Sequence, residues 1–389
     1  MVEKKKLHLT VLNRYYPPSH SITGESAFEL VQFINENSEN IKTSSISIET
    51  NYKKNKIDRG TINPNSHFIK SIPDFNNKVL RFLINFFEGY RLVKKAVQIE
   101  SDVIIVMTDP PLLNFWASKL LKRKKWFLWS MDIYPEAFVS AKLVSSKNPF
   151  IKYFKSVLKD NPPNYLIALG QKQKEYLLKT FGQKPETFIL PCGIHNELRS
   201  NQKPVWANQD LITFAYAGNI GEAHSSRFLK NFIESLDKSK HQVILALYGA
   251  KAAKTKLQIT ASPNIIFVNR VEKNEFDFVD IHLVSLLPKW TNICVPSKAV
   301  SAVCSSGTFL FYGSKDSDTY NMFQSSSWTI PYEIDERIEI RKIREFLKNV
   351  NKEKIRLKKE NAAQKKLELN QKKRKTFSKI LEAIEKYSN

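Results

Sequence analysis

The stretch Val279 to Gly313, VDIHLVSLLPKWTNICVPSKAVSAVCSSGTFLFYG, decides how the chain is read. Val279–Leu286 is a short apolar run that predicts a buried strand. Thr308–Tyr312 predicts a second, and the small residues from Ser297 to about Ser305 predict a helix between them. The order is strand, loop, helix, strand. Pro296 suits the first position of the helix, where its missing N–H costs nothing. The N–H groups of Ser297 and Lys298 then lie at the positive end of the helix dipole, beside a hydroxyl and an ammonium, a donor set suited to phosphate oxygens. A second reading stays open, in which Ser297 caps the helix and Lys298 is solvated.

Upstream, Leu211–Ala217 predicts a strand that runs into Gly218-Asn219-Ile220-Gly221-Glu222-Ala223-His224, ahead of a helix over Ser226–Leu236. Glycine lets backbone N–H groups approach a phosphate closely. Such a turn says little alone and more when it precedes the Pro-Ser-Lys helix in an alternating βα domain.

Val279–Leu286, Val295-Pro296-Ser297-Lys298 and Gly307 resemble, in order and spacing, the donor-binding segment of retaining GT-B glycosyltransferases of family four, in the branch that builds colanic acid, O-antigen and related bacterial polysaccharides. The turn from Gly218 to His224 is similar to the glycine turn of the same family. The resemblance implies an α/β GT-B fold: two Rossmann-like domains facing each other across a cleft, with a C-terminal helix crossing back. It implies nucleotide-sugar donor binding by Gly218, Asn219, Gly221, His224, Arg270, Pro296, Ser297, Lys298 and Asp318, with Lys298 opposing the charge on the leaving diphosphate. Thr308-Phe309 stands where the family has Arg-Pro. The family's two glutamates fall at Cys294 and Ala302, neither of which binds a ribose hydroxyl as a carboxylate does.

In the first half, Lys6–Tyr15 predicts a strand followed by Tyr16-Pro17-Pro18, a polar loop to Gly24 and a helix over Ser26–Asn37. Thr43–Thr50 predicts a second strand and Asn51–Asn77 a loop. Val79–Glu100 predicts a long helix with phenylalanine and leucine on more than one side. It is either a core helix or an amphipathic element dipping into lipid, with Lys94 and Lys95 beside it. Asp102–Met107 and Trp126–Ser130 predict buried strands, the second ending at Met131-Asp132-Ile133-Tyr134-Pro135-Glu136. Ligands of open α/β sheets bind beyond the carboxyl ends of strands. By resemblance Gly24, Asp132 and Glu136 are acceptor-side residues, with Asp132 also a candidate catalytic group. An Asp ahead of Tyr-Pro also forms turns.

The predicted organisation is an acceptor-binding Rossmann-like domain over 1–191, a linker over 192–209, a nucleotide-sugar-binding Rossmann-like domain over 210–334, and basic C-terminal helices over 335–389 packing back on the first domain. A chain of 389 residues suffices for two cores, and 42% hydrophobic content with 25 Phe argues against disorder. Three isolated cysteines suit neither a disulfide framework nor a metal cluster. Met1–Leu7 is charged and does not read as a signal peptide.

The net charge of +23 calls for a polyanionic partner. From Asp335 onward, eighteen Lys and Arg oppose nine Asp and Glu, a net of +9. Aromatics are sparse there and no nucleic-acid docking motif is visible, so an anionic membrane surface is the better partner. The combined expectation is a metal-independent, cofactor-free glycosyltransferase, peripheral on the inner face of the cell membrane. Its acceptor would be a saccharide, lipid-linked by this reading. A noncatalytic GT-B subunit and a basic nucleic-acid-binding protein are the alternatives.

Overall fold

A computed structural model describes residues 6–19, 21–49, 65–73, 77–195, 202–249 and 251–387. The chain divides into two compact units, residues 1–192 with 372–389, and residues 193–371.

The first unit runs β1 (Leu7–Leu12), α1 (Ile22–Asn37), β2 (Ile41–Glu49), β3 (Ser66–Lys70), α2 (Lys78–Gln98), β4 (Val103–Met107), α3 (Leu113–Leu120), β5 (Lys125–Trp129), α4 (Glu136–Ser140), α5 (Pro149–Asp160), β6 (Tyr165–Ala168), α6 (Gln171–Phe181) and β7 (Glu186–Ile189). Its seven parallel strands lie in the order β3-β2-β1-β4-β5-β6-β7. Strands covered by helices on both faces have no polar side, which is why β4 is the unbroken run VIIVM with every residue buried. In register, Leu9 stands between Thr43 and Val103. Chain order reverses between β1 and β4, so ligands are expected beyond that crevice.

The second unit runs β8 (Ile212–Asn219), α7 (Ser226–Glu234), β9 (His241–Tyr248), α8 (Ala252–Leu257), β10 (Ile265–Phe267), β11 (Ile281–Ser285), α9 (Ser297–Cys304), β12 (Thr308–Gly313), α10 (Asp318–Phe323), β13 (Ser327–Pro331), α11 (Glu336–Asn349) and the part of α12 (Lys352–Glu385) up to Gln371. Its six parallel strands lie in the order β10-β9-β8-β11-β12-β13, with the reversal between β8 and β11. Phe214, Phe228, Phe232 and Tyr312 fill the core with Ile343 and Leu347 of α11. Glu339 of α11 is fully buried, bonded to Arg227 at 2.7 Å, to Asn231 at 2.8 Å and to the Tyr312 hydroxyl.

Several expectations need correction. The loop expected over Asn51–Asn77 contains the strand β3, short and half-exposed at the sheet edge; residues 51–64 and 74–76 lie outside the described residues. The first helix begins at Ile22 instead of Ser26, so Gly24 sits inside α1 and not in the preceding loop. A Cβ at Gly24 would stand 2.9 Å from the Tyr15 carbonyl oxygen, so this glycine serves close backbone packing. Of the expected linker, residues 196–201 lie outside the described residues.

The basic C-terminal stretch is not simply a solvated face. Lys358 Nζ donates to the Ser325 carbonyl at 2.9 Å, Lys359 pairs with Asp280 at 3.6 Å, and Lys366 reaches Ser306 Oγ at 3.2 Å. These lysines satisfy loop and turn oxygens of the second unit. Residues 372–389 belong to the first unit, where Lys373 meets Glu29 at 3.2 Å and Phe377 packs on Phe33.

The long helix α2 divides. Leu92, Val93 and Ala96 are fully buried, whereas Val79, Leu80, Leu83 and Phe87 are exposed. Among the described residues no helix is long and apolar enough to cross a membrane.

Candidate functional site

Strand β8 ends in Gly218-Asn219 beside the reversal point of the second sheet. Gly218 has φ +131°, a conformation side-chain-bearing residues rarely adopt, and a Cβ there would stand 2.9 Å from Lys298 Cε. The lysine stem therefore lies across the strand end in space that only glycine leaves open. Lys298 is the second residue of α9, and its Nζ donates to the Asn219 carbonyl at 2.7 Å. It also lies 3.1 Å from His224 Nε2 and 5.0 Å from the centre of the Tyr216 ring.

The bonding assigns the histidine tautomer. His224 Nδ1 is 2.7 Å from the Ser285 carbonyl oxygen, so Nδ1 carries the proton and Nε2 offers its lone pair to the Lys298 ammonium. Burial, aided by the charge of Lys298, pulls His224 down to about 3, so the ring is neutral at any physiological pH. Burial likewise lowers Lys298 to about 7. Ser285 Oγ accepts from the Ser225 N–H at 3.0 Å, and Ser225 Oγ caps α7 by accepting from Phe228 N–H at 3.1 Å. Such a cap contributes about 1 kcal/mol. The ends of β8 and β11 and the starts of α7 and α9 are thereby tied together where the sheet order reverses.

The chemistry of this corner suits an anion. Two of the three ammonium hydrogens of Lys298 are directed at Asn219 and His224; in the first turn of α9 the Ala299 N–H bonds to the Pro296 carbonyl, and the N–H groups of Ser297 and Lys298 have no intrahelical acceptor. Beside His224 a cavity of about 400 Å³ is lined by Ser226, Arg227, Lys251 and Tyr332 among others. Lys251 pairs with Glu222 at 2.8 Å, and Arg227 with Glu339.

The remaining donor-side candidates fall unevenly. Pro296 takes the cap position ahead of α9 instead of its first helical position, and makes no side-chain cap bond; Ser297 is the first helical residue and does not cap the helix. Gly221 lies 3.7 Å or more from any atom a Cβ would meet, so sterics alone do not require glycine there. Arg270 follows β10, two strands from β8, and pairs with Glu272 at 2.9 Å. Asp318 is 2% exposed in the first turn of α10, where a carboxylate offsets the positive helix end. Cys294 and Ala302 are both buried, and Ala302 offers only its carbonyl, which accepts from Gly307 N–H at 2.9 Å.

In the first unit Thr108 Oγ1 accepts from the N–H groups of Met131 at 3.0 Å and Asp132 at 3.2 Å, pinning the loop after β5 to the end of β4. Gln173 Nε2 holds the Met131 carbonyl at 2.9 Å. Asp132 is thus fixed at the carboxyl edge. Glu136, 5% exposed at the start of α4, meets Lys155 at 3.1 Å and the Tyr176 hydroxyl at 3.3 Å, so it braces α4 against α5 and α6. Gly24 is buried in α1, with the Tyr15 carbonyl filling the space a Cβ would need.

Three features escaped the sequence. Gly249 has φ +87° and a Cβ there would overlap Asn219 Oδ1 at 1.7 Å, so the Asn219 side chain needs this glycine. Ser285 had been visible only as part of an apolar run. Arg14, at the end of β1, pairs with Asp109 at 3.0 Å and Glu88 at 2.9 Å and reaches Asn85 at 2.5 Å, placing a charged cluster at the reversal point of the first sheet. The signal for it, an arginine after one strand and an Asp-Pro after another, needs the strand order to be recognised.

No protein-family model matches the chain, and no curated protein matches it in sequence. Solved structures do match. Sucrose-phosphate synthase from Thermosynechococcus elongatus aligns over 94% of this chain and 95% of its own, at 10% identity and a TM-score of 0.68. A structure from E. coli described as trehalose-6-phosphate bound with UDP-2-fluoro glucose aligns over 97% and 98%, at 13% identity and 0.66. WaaG, a glycosyltransferase involved in lipopolysaccharide biosynthesis, aligns over 91% and 94%, at 13% identity and 0.62. Likeness at such identity shows the fold, and this chain has the α/β fold of the GT-B glycosyltransferases, with a parallel sheet in each of two units.

Proposed function

We propose that the chain is a glycosyltransferase that moves a sugar from a nucleotide-sugar donor to a saccharide acceptor. The observation that carries this reading is the Lys298, Asn219 and His224 cluster at the reversal point between β8 and β11. A cation, a neutral imidazole and free helix N–H groups converge there, at the kind of crevice where α/β sheets bind nucleotides. Lys298 would meet the diphosphate charge that grows as the glycosidic bond breaks, doing electrostatically what a metal ion does elsewhere. Retention of anomeric configuration, a lipid-linked acceptor, a role in bacterial surface polysaccharide assembly and attachment to the inner membrane face extend the proposal on the resemblance of Val279–Gly313. Asp132 is the acceptor-side candidate.

A thermal-shift panel of nucleoside diphosphates and their sugars tests the proposal. A ligand held at a hundred times its Kd stabilises by about 2.7 kcal/mol, so one base should stand out, and Lys298→Ala should remove that shift while retaining the fold. A full panel without a shift would favour a noncatalytic GT-B subunit, the reading that buried Cys294 and Ala302 support in place of ribose-binding acids. A nucleic-acid role rests on charge alone, and purely electrostatic binding falls steeply with added salt.

A further inference from the structure

The first unit carries an apolar surface that its own fold leaves uncovered. On α2, Leu80, Leu83 and Phe87 follow helical spacing along one stripe, and Leu83 and Phe87 are 53% and 51% exposed. The adjoining face of α2 packs on neighbouring elements that expose apolar residues of their own. Phe82 packs edge-on against Phe138 of α4 with ring centres 5.5 Å apart. The Leu143 N–H bonds to the Phe138 carbonyl, bringing a 60%-exposed leucine alongside. Phe86 meets Phe154 of α5, whose preceding turn presents Phe150, 69% exposed, and Tyr153. A water-facing surface of three phenylalanine and leucine clusters is costly unless something covers it.

The charge around it is mostly of one sign. Residues 110–160, which build α3, α4, α5 and the loops joining them, contain ten Lys and Arg against three acids, Asp132, Glu136 and Asp160, of which Glu136 is buried against Lys155. Lys119 lies 5.0 Å over the Tyr153 ring, and Lys152 is exposed on the same helix as Phe150. Apolar and aromatic side chains ringed by cations match an anionic bilayer surface, where rings settle at headgroup depth and lysines meet lipid phosphates. A protein partner would need an acidic rim around an apolar centre, and nothing else on this face asks for one. The tail is the weaker candidate for the same partner, because Lys358, Lys359 and Lys366 are engaged within the second unit.

We propose that the face formed by α2, α4 and α5 of the first unit docks on anionic lipid, inserting Leu83, Phe87 and Phe150 among the headgroups. The acceptor part of this inference rests on the proposed transferase reading: Asp132 lies on the loop that leads into α4 and Glu136 begins that helix, so docking would present the acceptor side to lipid-borne saccharides. Docking itself does not depend on transfer.

The test is co-sedimentation of the full chain with phosphatidylcholine vesicles, with and without phosphatidylglycerol. Binding is expected only with the anionic lipid. Lys119→Gln and Lys152→Gln should each weaken it by about fivefold. Phe87→Ser with Phe150→Ser should weaken it by about tenfold or more while leaving the melting temperature and any nucleotide-induced shift in place. Lys375→Gln in the tail serves as the control. Absence of binding, binding that only the tail substitution weakens, or sedimentation velocity showing this face closed in a dimer would each overturn the inference. The donor proposal would survive any of these, because its readout is the nucleotide shift.

Discussion

Lys298 Nζ lies 3.1 Å from His224 Nε2, and the bond of His224 Nδ1 to Ser285 makes the histidine the acceptor in that contact. A lysine held to about 7 by burial is only half charged near neutrality, and a diphosphate selects the charged form. Nucleotide affinity should therefore fall as pH rises through 7, approaching tenfold per unit above it, with proton uptake on binding in calorimetry. A Kd that stays flat from pH 6.5 to about 9 would remove Lys298 from the phosphate site. The stability sign follows from the same depression. The unfolded chain holds this proton up to the ordinary lysine value and the folded chain releases it near 7, so the group's contribution to stability rises with pH across that window. Lys298→Met should accordingly look most favourable relative to the parent below pH 7, and its advantage should shrink towards pH 9.

The three glycines around Asn219 separate by sterics. Gly249→Ala places a Cβ on Asn219 Oδ1 at positive φ, and should destabilise by about 2–3 kcal/mol in urea unfolding while disordering the turn. Gly218→Ala meets only the end of the Lys298 stem, which can swing aside. Its fold should survive with a loss of about 1–2 kcal/mol, whereas nucleotide binding should drop sharply as the bond to Asn219 breaks. Gly221→Ala should stay within about 0.5 kcal/mol of the parent. Equal effects at all three positions would mean that the turn acts through flexibility and not through space.

Much of this was legible in the chain because it is local. The apolar run through Val284, the start of α9 and the turn from Gly218 depend on residues within a few positions of one another, and their periodicity and glycine content survive without knowledge of the fold. Gly24 was misread for the opposite reason. A glycine before a helix and a glycine pressed against the Tyr15 carbonyl look alike until the partner is known. The Arg14, Asp109 and Glu88 cluster and the Glu339 network join residues about a hundred positions apart, so only the strand order brings them together. The exposure of α2 was also undecided by pattern, since an apolar helix covered on all sides and one covered along half its length share the same composition.

Glu339 provides a stability test as the partner of Arg227, a residue that lines the cavity beside His224. It is fully buried, and its charge is met by Arg227, Asn231 and the Tyr312 hydroxyl. Removing one member of such a network strands the others, and Glu339→Ala should destabilise the second unit by about 3–5 kcal/mol. If Glu339→Ala unfolds no earlier than the parent, α11 does not anchor the second unit.

Asp132 and Glu136 sit four residues apart but should respond differently. Thr108 fixes the Asp132 backbone at the carboxyl edge of the sheet, so Asp132→Asn should preserve the melting temperature and the donor-induced shift while lowering transfer to acceptor by about 10–100-fold. The buried Glu136 meets Lys155 and Tyr176 in a partly exposed contact, so Glu136→Gln should cost about 1–3 kcal/mol of stability before any effect on transfer is considered. Transfer assayed at saturating donor separates the two roles. A loss on Asp132→Asn that rising acceptor concentration restores makes Asp132 a binding group, and one that persists at saturation makes it part of the chemistry. If Asp132→Asn leaves transfer untouched while Glu136→Gln abolishes it in a folded protein, the acceptor side is organised around the start of α4 instead of the end of β5.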